Sequence, residues 1–540
     1  MTSRVLDDRR HLWAFVVGCL AVTIGVVMHL PMFWMGRDMG FRLADMPMDA
    51  AMLWGMALIV AGIVVAAWGL LPRRLAAAPA APIVDIGAPE DAPLRAAHWR
   101  LMIVLTVALV IDVMKPASLG FVVPGMQTEY AVSPATVAWL PFAALCGTVV
   151  GSVVWGWLAD LYGRRASILL SAVMFVGTSI CGAMPSLWWN VGMCFLMGAA
   201  AGGMLPVTYA LLAETMPSKH RGWALVLVGG LGAVGGYLAA SVLSAWLQPH
   251  FGWRSLWFLN LPTGLILIFL NAYVPESPRF LLALGRVREA EAVLRNFGCT
   301  VRSAMAAPAA ALAATASSTA RAALPRRYTA QTWALSIAAL AWSLVNFGLL
   351  LWMPALLVAK GHSVALSSQL LAASALIALP TVFIAAAVYS RWSSKGALVG
   401  AIVLTVAGLL GIVFLDVASP ADVSPVWAIA VLVVGINGII ATLLPYAAES
   451  YPLRVRARAT GWVAACTKAG GLAAQGLSLV GFVPGLARGA ILALVPALIA
   501  LVLVIRYGTE TRDRDLREID DDEDGAAALA LGPAPADCPA

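Results

Sequence analysis

Long, uninterrupted apolar runs separated by short polar segments dominate the sequence. Two runs, near 12–30 and 51–71, come first, and twelve more follow a Pro/Ala-rich stretch. Each run is about twenty residues long, which is the length that crosses a bilayer as a helix, and none shows the alternation of barrel strands. The pattern predicts an all-α membrane protein with 14 transmembrane helices.

The twelve later runs are expected to form two six-helix halves. Lys115 and Pro116 interrupt the first of them, which makes it the least regular. The expected spans are 101–121, 137–158, 166–184, 188–213, 223–247, 255–274, 331–356, 366–388, 396–415, 426–447, 458–481 and 486–505.

Composition excludes a soluble globular protein. Hydrophobic residues make up 61% of the chain and charged residues 12%, with a mean hydropathy of +0.87. Ordinary domains are roughly half apolar and a quarter charged. The chain has no phosphate-binding loop and no room for a soluble catalytic domain, so it is expected to be neither an ATP-driven pump nor an enzyme. Its seven cysteines fit no metal-ligand spacing or disulfide framework.

The distribution of positive charge predicts the orientation. Of 35 Lys and Arg residues, 28 fall on one side if the N-terminus is cytoplasmic. By the positive-inside rule, a multi-pass protein of the inner (plasma) membrane with both termini in the cytoplasm is expected. The outer loops keep Arg37, Arg42, Arg254, Lys360 and Arg488, and Lys115 and Lys468 are left at membrane depth.

These patterns define the expected organisation of the chain. The part of the inter-half loop near 275–300 has the periodicity of an amphipathic helix. The expected parts are a two-helix hairpin (1–72), a cytoplasmic linker (73–99), an N-terminal six-helix half (100–274), a cytoplasmic inter-half loop (275–330), a C-terminal six-helix half (331–507) and a disordered acidic tail (508–540).

An internal repeat supports the two halves. The segments AETMPSKHRGW and AAESYPLRVRARATGW share the spacing E-x-x-P-x-x-x-R and lie 235 residues apart. Related halves with a substrate site between them near the midplane are typical of parallel-repeat transporters. The repeated positions are Glu214, Pro217 and Arg221 in the first copy and Glu449, Pro452 and Arg456 in the second.

Several motifs resemble those of the major facilitator superfamily. GWLADLYGRR, residues 156–165, is similar to its G-x-L-a-D-r-x-G-R-R signature. VPESPRFLLALGRVREAEAVL and Gly252-Trp253-Arg254 resemble its sugar-porter and metabolite:proton symporter branches. The resemblance implies the major facilitator fold, here with two extra N-terminal helices, and transport by alternating access.

The resemblance also implies a cytoplasmic latch, a set of charged and glycine positions that holds the two halves together. A role only in topology is the alternative. In the second half Ser390 replaces the expected acid, which predicts a weaker latch there. The latch positions are Gly156, Asp160, Gly163, Arg164, Arg165, Glu214, Arg221, Glu276, Arg279, Arg391, Glu449 and Arg456.

Charges at membrane depth suggest a coupling site. Asp112 and Lys115 are three residues apart, which allows an ion pair on one helix face. Desolvation favours a protonated carboxyl group, and a nearby cation favours the ionised one. A substrate that competes for the cation would therefore change the proton affinity of Asp112. A structural ion pair with a snorkelling Lys115 is the alternative.

Polar positions in the second half are the candidate substrate contacts. Lys468 lacks an acid on its own helix, so Asp112 or an anionic substrate is its expected partner. Trp352-Met353-Pro354 resembles a W-L-P motif of organic-acid and nicotinate-type carriers, and a sugar-porter Q-Q-x-x-G-I-N motif is absent. Proton-coupled symport of a small organic anion, aromatic or carboxylic, is the leading hypothesis. The substrate-binding candidates are Lys468, Asn346, Asn437, Gln475 and Trp352.

Three other functions stay open. The first is proton-driven efflux of a drug or metabolite: the glycine-rich 229–240 resembles an antiporter motif, but the missing proline disfavours this function. A sugar:proton symporter is the second alternative. The third is a metal-handling or sensor protein that uses the Met-rich outer loop, with Met28, His29, Met32 and Met35 as ligands. The expected partners are the lipid bilayer, protons and a small substrate; a monomer without cofactor or nucleic acid is expected.

Overall fold

The chain, seen in a computed structural model, is built almost entirely of helices. Residues 9–71, 85–87, 93–202, 204–283, 286–298, 300–302, 328–418, 425–451, 453–482 and 484–512 are described.

The fourteen expected helices are present. In chain order they are α1 (Arg9–Val27), α2 (Ala50–Leu70), α3 (Ala96–Tyr130), α4 (Trp139–Tyr162), α5 (Arg164–Gly177), α6 (Leu187–Ala201 and Met204–Thr215), α7 (Ser218–Phe251), α8 (Asn260–Leu270), α9 (Thr329–Ser343, the π-helical Leu344–Leu350 and Leu351–Ala359), α10 (Val364–Ala378 and Thr381–Arg391), α11 (Ser394–Ala418), α12 (Val426–Ser450), α13 (Leu453–Leu479) and α14 (Leu486–Tyr507).

Twelve helices among the described residues are long and apolar enough to cross a membrane. Helices α6 and α13 do not meet this requirement of length and hydropathy. Helix α6 consists of two shorter pieces, and α13 combines Lys468 and Gln475 with many small residues, which lowers its hydropathy. We call the face at which α3 begins the inner face and the face at which it ends the outer face, following the predicted orientation.

Helix α3 is more regular than the sequence predicted. Its 35 residues continue through Pro116 and Pro124, which both lie inside the helix. A proline removes one backbone hydrogen bond, but packing against neighbouring helices can hold the remaining turns together. The expected interruption at Lys115 and Pro116 was therefore wrong, and Asp112 lies on a continuous helix.

Short elements connect the membrane helices. The inter-half loop contains the helices Pro278–Ala283 and Val287–Asn296, as its amphipathic pattern predicted. One small antiparallel strand pair was not predicted: Asp85–Gly87 in the linker pairs with Thr300–Arg302. Arg95 adds a hydrogen bond of 2.9 Å to the carbonyl of Arg295. The linker is thus attached to the inter-half loop.

The hairpin helices α1 and α2 approach each other through glycines. Gly55, Gly62 and Gly69 recur every seven residues along α2. A Cβ atom at Gly62 would lie 2.8 Å from the carbonyl oxygen of Gly18 on α1. Small residues at such positions let two membrane helices pack closely. The hairpin also contacts α5, where a Cβ atom at Gly177 would meet Ile59 at 3.0 Å.

A buried carboxylate attaches the hairpin loop to the outer face of the body. Glu129 accepts hydrogen bonds from the backbone N–H groups of Leu43 (2.7 Å) and Ala44 (3.0 Å). It also forms a 2.7 Å salt bridge with Arg254, whose side chain is 0% exposed. Phe41 and Asp45 flank these bonds at φ values of 60° and 61°, a region rarely adopted by non-glycine residues. The bonds to Glu129 therefore hold a strained loop in place.

The two halves contact each other along α7 and α10. Near the outer face the hydroxyl groups of Ser244 and Ser368 lie 2.9 Å apart. Near the inner face a Cβ atom at Gly222 would lie 3.2 Å from the ring of Tyr389. These small and polar residues place the halves in direct contact on both sides of the molecule.

The hairpin packing makes a testable prediction. Gly62→Leu places atoms against the α1 backbone, so we expect a loss of about 1–3 kcal/mol of stability, typical of overpacking, seen as a lower melting temperature in detergent. Gly192→Leu is the matched control, because a Cβ atom there meets nothing within 4 Å. Equal melting temperatures for the two variants would contradict close glycine packing.

Candidate functional site

Three charged side chains meet inside the body. Asp112 comes from α3 in the N-terminal half, and Lys468 comes from α13 in the C-terminal half. Asp112 lies close enough to both Lys115 and Lys468 for an electrostatic interaction. Asp112 and Lys468 are half-buried. Opposite charges therefore face each other from the two halves of the molecule.

Lys115 has a different place from the one predicted. Its side chain is 2% exposed, and its ammonium group lies on the ring of Phe175 in α5. No ion pair joins it to Asp112 within the described part of the chain, but Asp112 is close enough to act on Lys115 electrostatically, so its coupling role stays a prediction. The i, i+3 spacing places both residues on one side of α3 but does not fix which neighbouring helix each side chain reaches.

The π-helical turn of α9 brings an aromatic ring to Lys468. This turn, Leu344–Leu350, contains Asn346 and Phe347. The ammonium group of Lys468 lies 5.4 Å from the centre of the Phe347 ring, which is a cation–π distance. Turns of this kind are frequent at functional sites because they displace side chains from regular helical positions. The sequence analysis named the half-buried Asn346 but missed Phe347.

Two of the predicted substrate contacts bind each other instead. The indole N–H of Trp352 donates to Gln475 at 3.2 Å. The amide of Gln475, which is 0% exposed, donates to the carbonyl of Phe347. These bonds fix α13 against the π-helical turn. Trp352 and Gln475 therefore position Phe347 and Lys468 rather than presenting free polar atoms.

Asn437 also binds within the protein. Its amide donates to the Val433 carbonyl of the same helix at 2.8 Å. That bond uses one donor and keeps the side chain along α12, as expected for an amide in a membrane helix. A substrate role for Asn437 stays a prediction, and this hydrogen bond does not support it.

On the inner face, a carboxylate of the first half caps the start of a helix. Glu276 is 3% exposed and accepts a 2.9 Å hydrogen bond from the backbone N–H of Arg164, the first residue of α5. Gly163 has φ +94°, and a Cβ atom there would lie 2.7 Å from Glu276. Burial raises the pKa of Glu276, while the backbone N–H groups that it binds act in the opposite direction. Glycine is therefore required at this predicted latch position.

The second half has an equivalent carboxylate that the sequence analysis missed. Glu510 follows α14 and accepts hydrogen bonds from the backbone N–H (2.8 Å) and hydroxyl (2.5 Å) of Ser394, where α11 begins. Burial opposes its ionisation, but these bonds and one from Ser393 outweigh burial and lower the pKa of Glu510 to about 2. Residues 508–512 therefore pack against the body, so the expected disorder was wrong for them, and the rest of the predicted tail lies outside the described residues.

A second inner-face network surrounds Glu449. Tyr389 donates to this carboxylate at 2.6 Å and Thr511 donates at 3.0 Å. Arg512 binds the carbonyl groups of Arg391 and Trp392. These contacts join segments of the C-terminal half to one another, so the weaker second-half latch stays a prediction.

Some predicted latch residues cannot be placed. The side chains of Asp160, Glu214, Arg279 and Arg456 lie outside the described residues. Arg165 and Arg221 have interaction partners of their own. Gly156 has open space around its Cα, since a Cβ atom there meets nothing within 4 Å. The latch roles of these residues stay predictions.

Comparison with known proteins identifies the family. The sequence profile of the Major Facilitator Superfamily matches residues 102–475. The chain belongs to that superfamily. Similar proteins include the niacin transporter NiaP of Acinetobacter baylyi, 28% identical over 71% of this chain and 87% of the relative. The 4-hydroxybenzoate transporter PcaK of the same organism is 32% identical over 36% of this chain and 43% of its own length.

Solved structures of the Major Facilitator Superfamily share the fold. The proton:xylose symporter XylE bound to 6-bromo-6-deoxy-D-glucose has a TM-score of 0.62 at 16% identity, covering 78% of this chain and 98% of XylE. A partially occluded inward-open form of XylE from E. coli gives the same TM-score at 15% identity, with 78% and 100% coverage. These structures confirm the predicted fold. The family match and the sequence relatives confirm the predicted superfamily and a transporter that is not an enzyme.

The Met-rich segment precedes the superfamily body. His29 and Met32 are buried, at 0% and 3% exposure, whereas Met35 is 58% exposed and Met28 is half-buried. The four predicted ligands therefore do not face one point. Among the described residues, no group of three or more His, Cys, Asp and Glu side chains could hold a metal ion.

Glu510 allows a prediction for the inner face of this superfamily member. Because its folded pKa of about 2 lies below the ordinary value near 4.3, its stabilisation is complete above about pH 4.3 and is lost as the pH falls towards 2. Glu510→Gln should cost about 1 kcal/mol at pH 7, the usual loss for a helix cap, and less at pH 3.

Melting temperatures of the purified carrier at both pH values measure this. Glu291→Gln is the control, since that residue forms only an exposed i, i+4 pair with Arg295 among the described contacts. A destabilisation by Glu510→Gln that stays constant between pH 7 and pH 3 would contradict the assignment.

Proposed function

We propose that the chain is a proton-coupled symporter of a small aromatic carboxylate, working by alternating access in the inner membrane with both termini in the cytoplasm. The observation that carries the proposal is the position of Lys468. It faces Asp112 from the opposite half and lies 5.4 Å from the Phe347 ring centre. A cation beside an aromatic ring is suited to a ligand with a carboxylate and a flat ring.

The chemistry of Lys468 favours an anionic cargo. An ammonium group inside a membrane protein needs a negative partner, because desolvation of an isolated charge is costly. Asp112 provides that charge in the described state. A carboxylate cargo that enters between the halves would provide it instead, with its ring beside Phe347.

The same exchange couples the cargo to a proton. Lys115 and Lys468 both favour the ionised form of Asp112, and a bound carboxylate neutralises the contribution of Lys468. The Asp112 carboxyl group then takes up a proton, so cargo and proton bind together. Before the site could face the outside again, the carrier would have to release both the cargo and the proton. Alternating access by movement of the two halves about the site is the usual mechanism of parallel-repeat carriers.

The names of the relatives support this class of cargo. Niacin and 4-hydroxybenzoate, which appear in the names of two relatives, are aromatic carboxylates. A further relative, from Acinetobacter baylyi, is a benzoate transport protein that is 27% identical over 36% of this chain. The similarity to XylE lies at 16% identity and supports only the fold. The sugar symporter and efflux alternatives therefore have no specific contact in their favour.

Asp112→Asn separates coupling from binding. The variant should exchange external and internal benzoate or nicotinate across proteoliposomes, because Lys468 remains, but should not accumulate either cargo when an inward proton gradient is imposed. Asp416→Asn is the control, since that carboxylate binds Lys360 near the outer end of α11. Full gradient-driven accumulation by Asp112→Asn would overturn the coupling role.

Lys468→Gln tests the anion site. Loss of one partner of a buried charge pair costs about 2–5 kcal/mol, so apparent affinity for the carboxylate should fall by at least about 30-fold. Binding of nicotinate and of uncharged nicotinamide to the purified carrier measures the effect, with Lys360→Gln as the control. An unchanged preference for the acid over the amide would show that Lys468 does not bind the carboxylate.

A further inference from the structure

A buried histidine in the hairpin has an unused nitrogen. His29 is 0% exposed, and its Nδ1 lies 2.8 Å from the carbonyl oxygen of Gly25. Since a carbonyl only accepts, Nδ1 holds the ring proton, and Nε2 of the neutral ring has a free lone pair. Nε2 has no hydrogen-bond partner in the part of the chain that the structure describes. Such an acceptor in an apolar interior is costly to leave unbound.

This arrangement is the one that metal-binding histidines adopt. A metal-ligating imidazole usually donates its other ring N–H to a carbonyl or carboxylate, which fixes the tautomer and the ring orientation. Gly25 supplies that acceptor for His29. Asp49, the N-cap of α2, is close enough to act electrostatically on the ring. A nearby negative charge favours a cation at Nε2.

Buried methionines lie near His29 along the chain and near its contact point on α2. A Cβ atom at Gly55 would lie 2.7 Å from Cε1 of His29, so the ring rests against α2 at that position. Met52 is one helical turn before Gly55 on the same buried side of α2, and Met32 is three residues after His29. Both are buried, at 0% and 3% exposure. Further methionines of the same apolar cluster are Met46, Met48, Met56 and Met184.

We propose that the outer end of the hairpin binds one soft monovalent metal ion, Cu(I), through Nε2 of His29 and the sulfur atoms of Met32 and Met52. Imidazole and thioether ligands select Cu(I) over harder ions. The site goes beyond the transport function, and its ligands differ from those that the sequence suggested. Met52 of α2 replaces Met35, which points outwards.

Metal at this site would connect the two hairpin helices. His29 lies just after α1, and Met32 lies in the short helix Leu30–Met35 that follows, while Met52 is in the first turn of α2. A bound ion would therefore add a link between α1 and α2 beside their glycine contact. Binding to the folded form alone raises the apparent stability of the protein.

Anaerobic titration of the purified full-length carrier with Cu(I), in competition with a chromophoric Cu(I) chelator, tests the proposal. The expected result is one Cu(I) per chain and a rise in melting temperature. Met32→Leu and Met52→Leu preserve volume and fold, and each should weaken binding at least about ten-fold. Met39→Leu, at an exposed position (50%), should bind like the wild type.

His29→Ala should abolish the binding, and the methionine variants keep the test valid if that variant fails to fold. X-ray absorption of the Cu(I)-loaded wild type should show both nitrogen and sulfur ligands. Absence of stoichiometric Cu(I) binding by the wild type would overturn the proposal. So would binding that Met32→Leu and Met52→Leu leave unchanged.

Discussion

An unpaired charge is very costly inside a membrane protein, and the body of this carrier contains three ionisable side chains at depth. Asp112 and Lys468 come from different halves and act on each other electrostatically, and Lys115 acts on Asp112 as well. Lys115 is fully enclosed against Phe175. Because the Asp112–Lys468 interaction crosses the boundary between the halves, a movement that separates the halves leaves Lys468 without this partner. In the proposed mechanism a carboxylate cargo takes its place and Asp112 takes up a proton.

The remaining architecture holds these charges in position. The Trp352–Gln475–Phe347 hydrogen bonds join α9 to α13 beside Lys468. At the inner face Glu276 and Glu510, which are 234 residues apart, occupy equivalent positions in the two halves. Each carboxylate follows the last helix of its half and binds the start of the third helix of the same half. The internal repeat therefore extends to the contacts that stabilise the inner ends of both halves. The hairpin adds to the N-terminal half, through Glu129 and α5.

Apolar run length was sufficient to predict fourteen helices, because hydrocarbon imposes strong limits on sequence. The internal repeat supported the two halves, and the resemblance of several motifs pointed to the superfamily. Contacts between distant segments were not predictable in the same way. Glu129 binds a loop more than 80 residues away in the sequence, and no local sequence pattern predicts that contact. Glu510 could have been found, since its offset from Glu276 is close to the 235-residue repeat. The contact of Lys115 with Phe175 was not predictable, because helical spacing does not determine a side-chain rotamer.

Proton uptake on cargo binding tests the central claim most directly. Calorimetric titration of the purified carrier with nicotinate or benzoate, in buffers of different ionisation enthalpy, counts the protons exchanged at each binding event. If the cargo replaces Asp112 as the partner of Lys468, the wild type should take up a proton on binding, and Asp112→Asn should bind without uptake. Binding by the wild type with no proton uptake, or equal uptake by Asp112→Asn, would contradict this account.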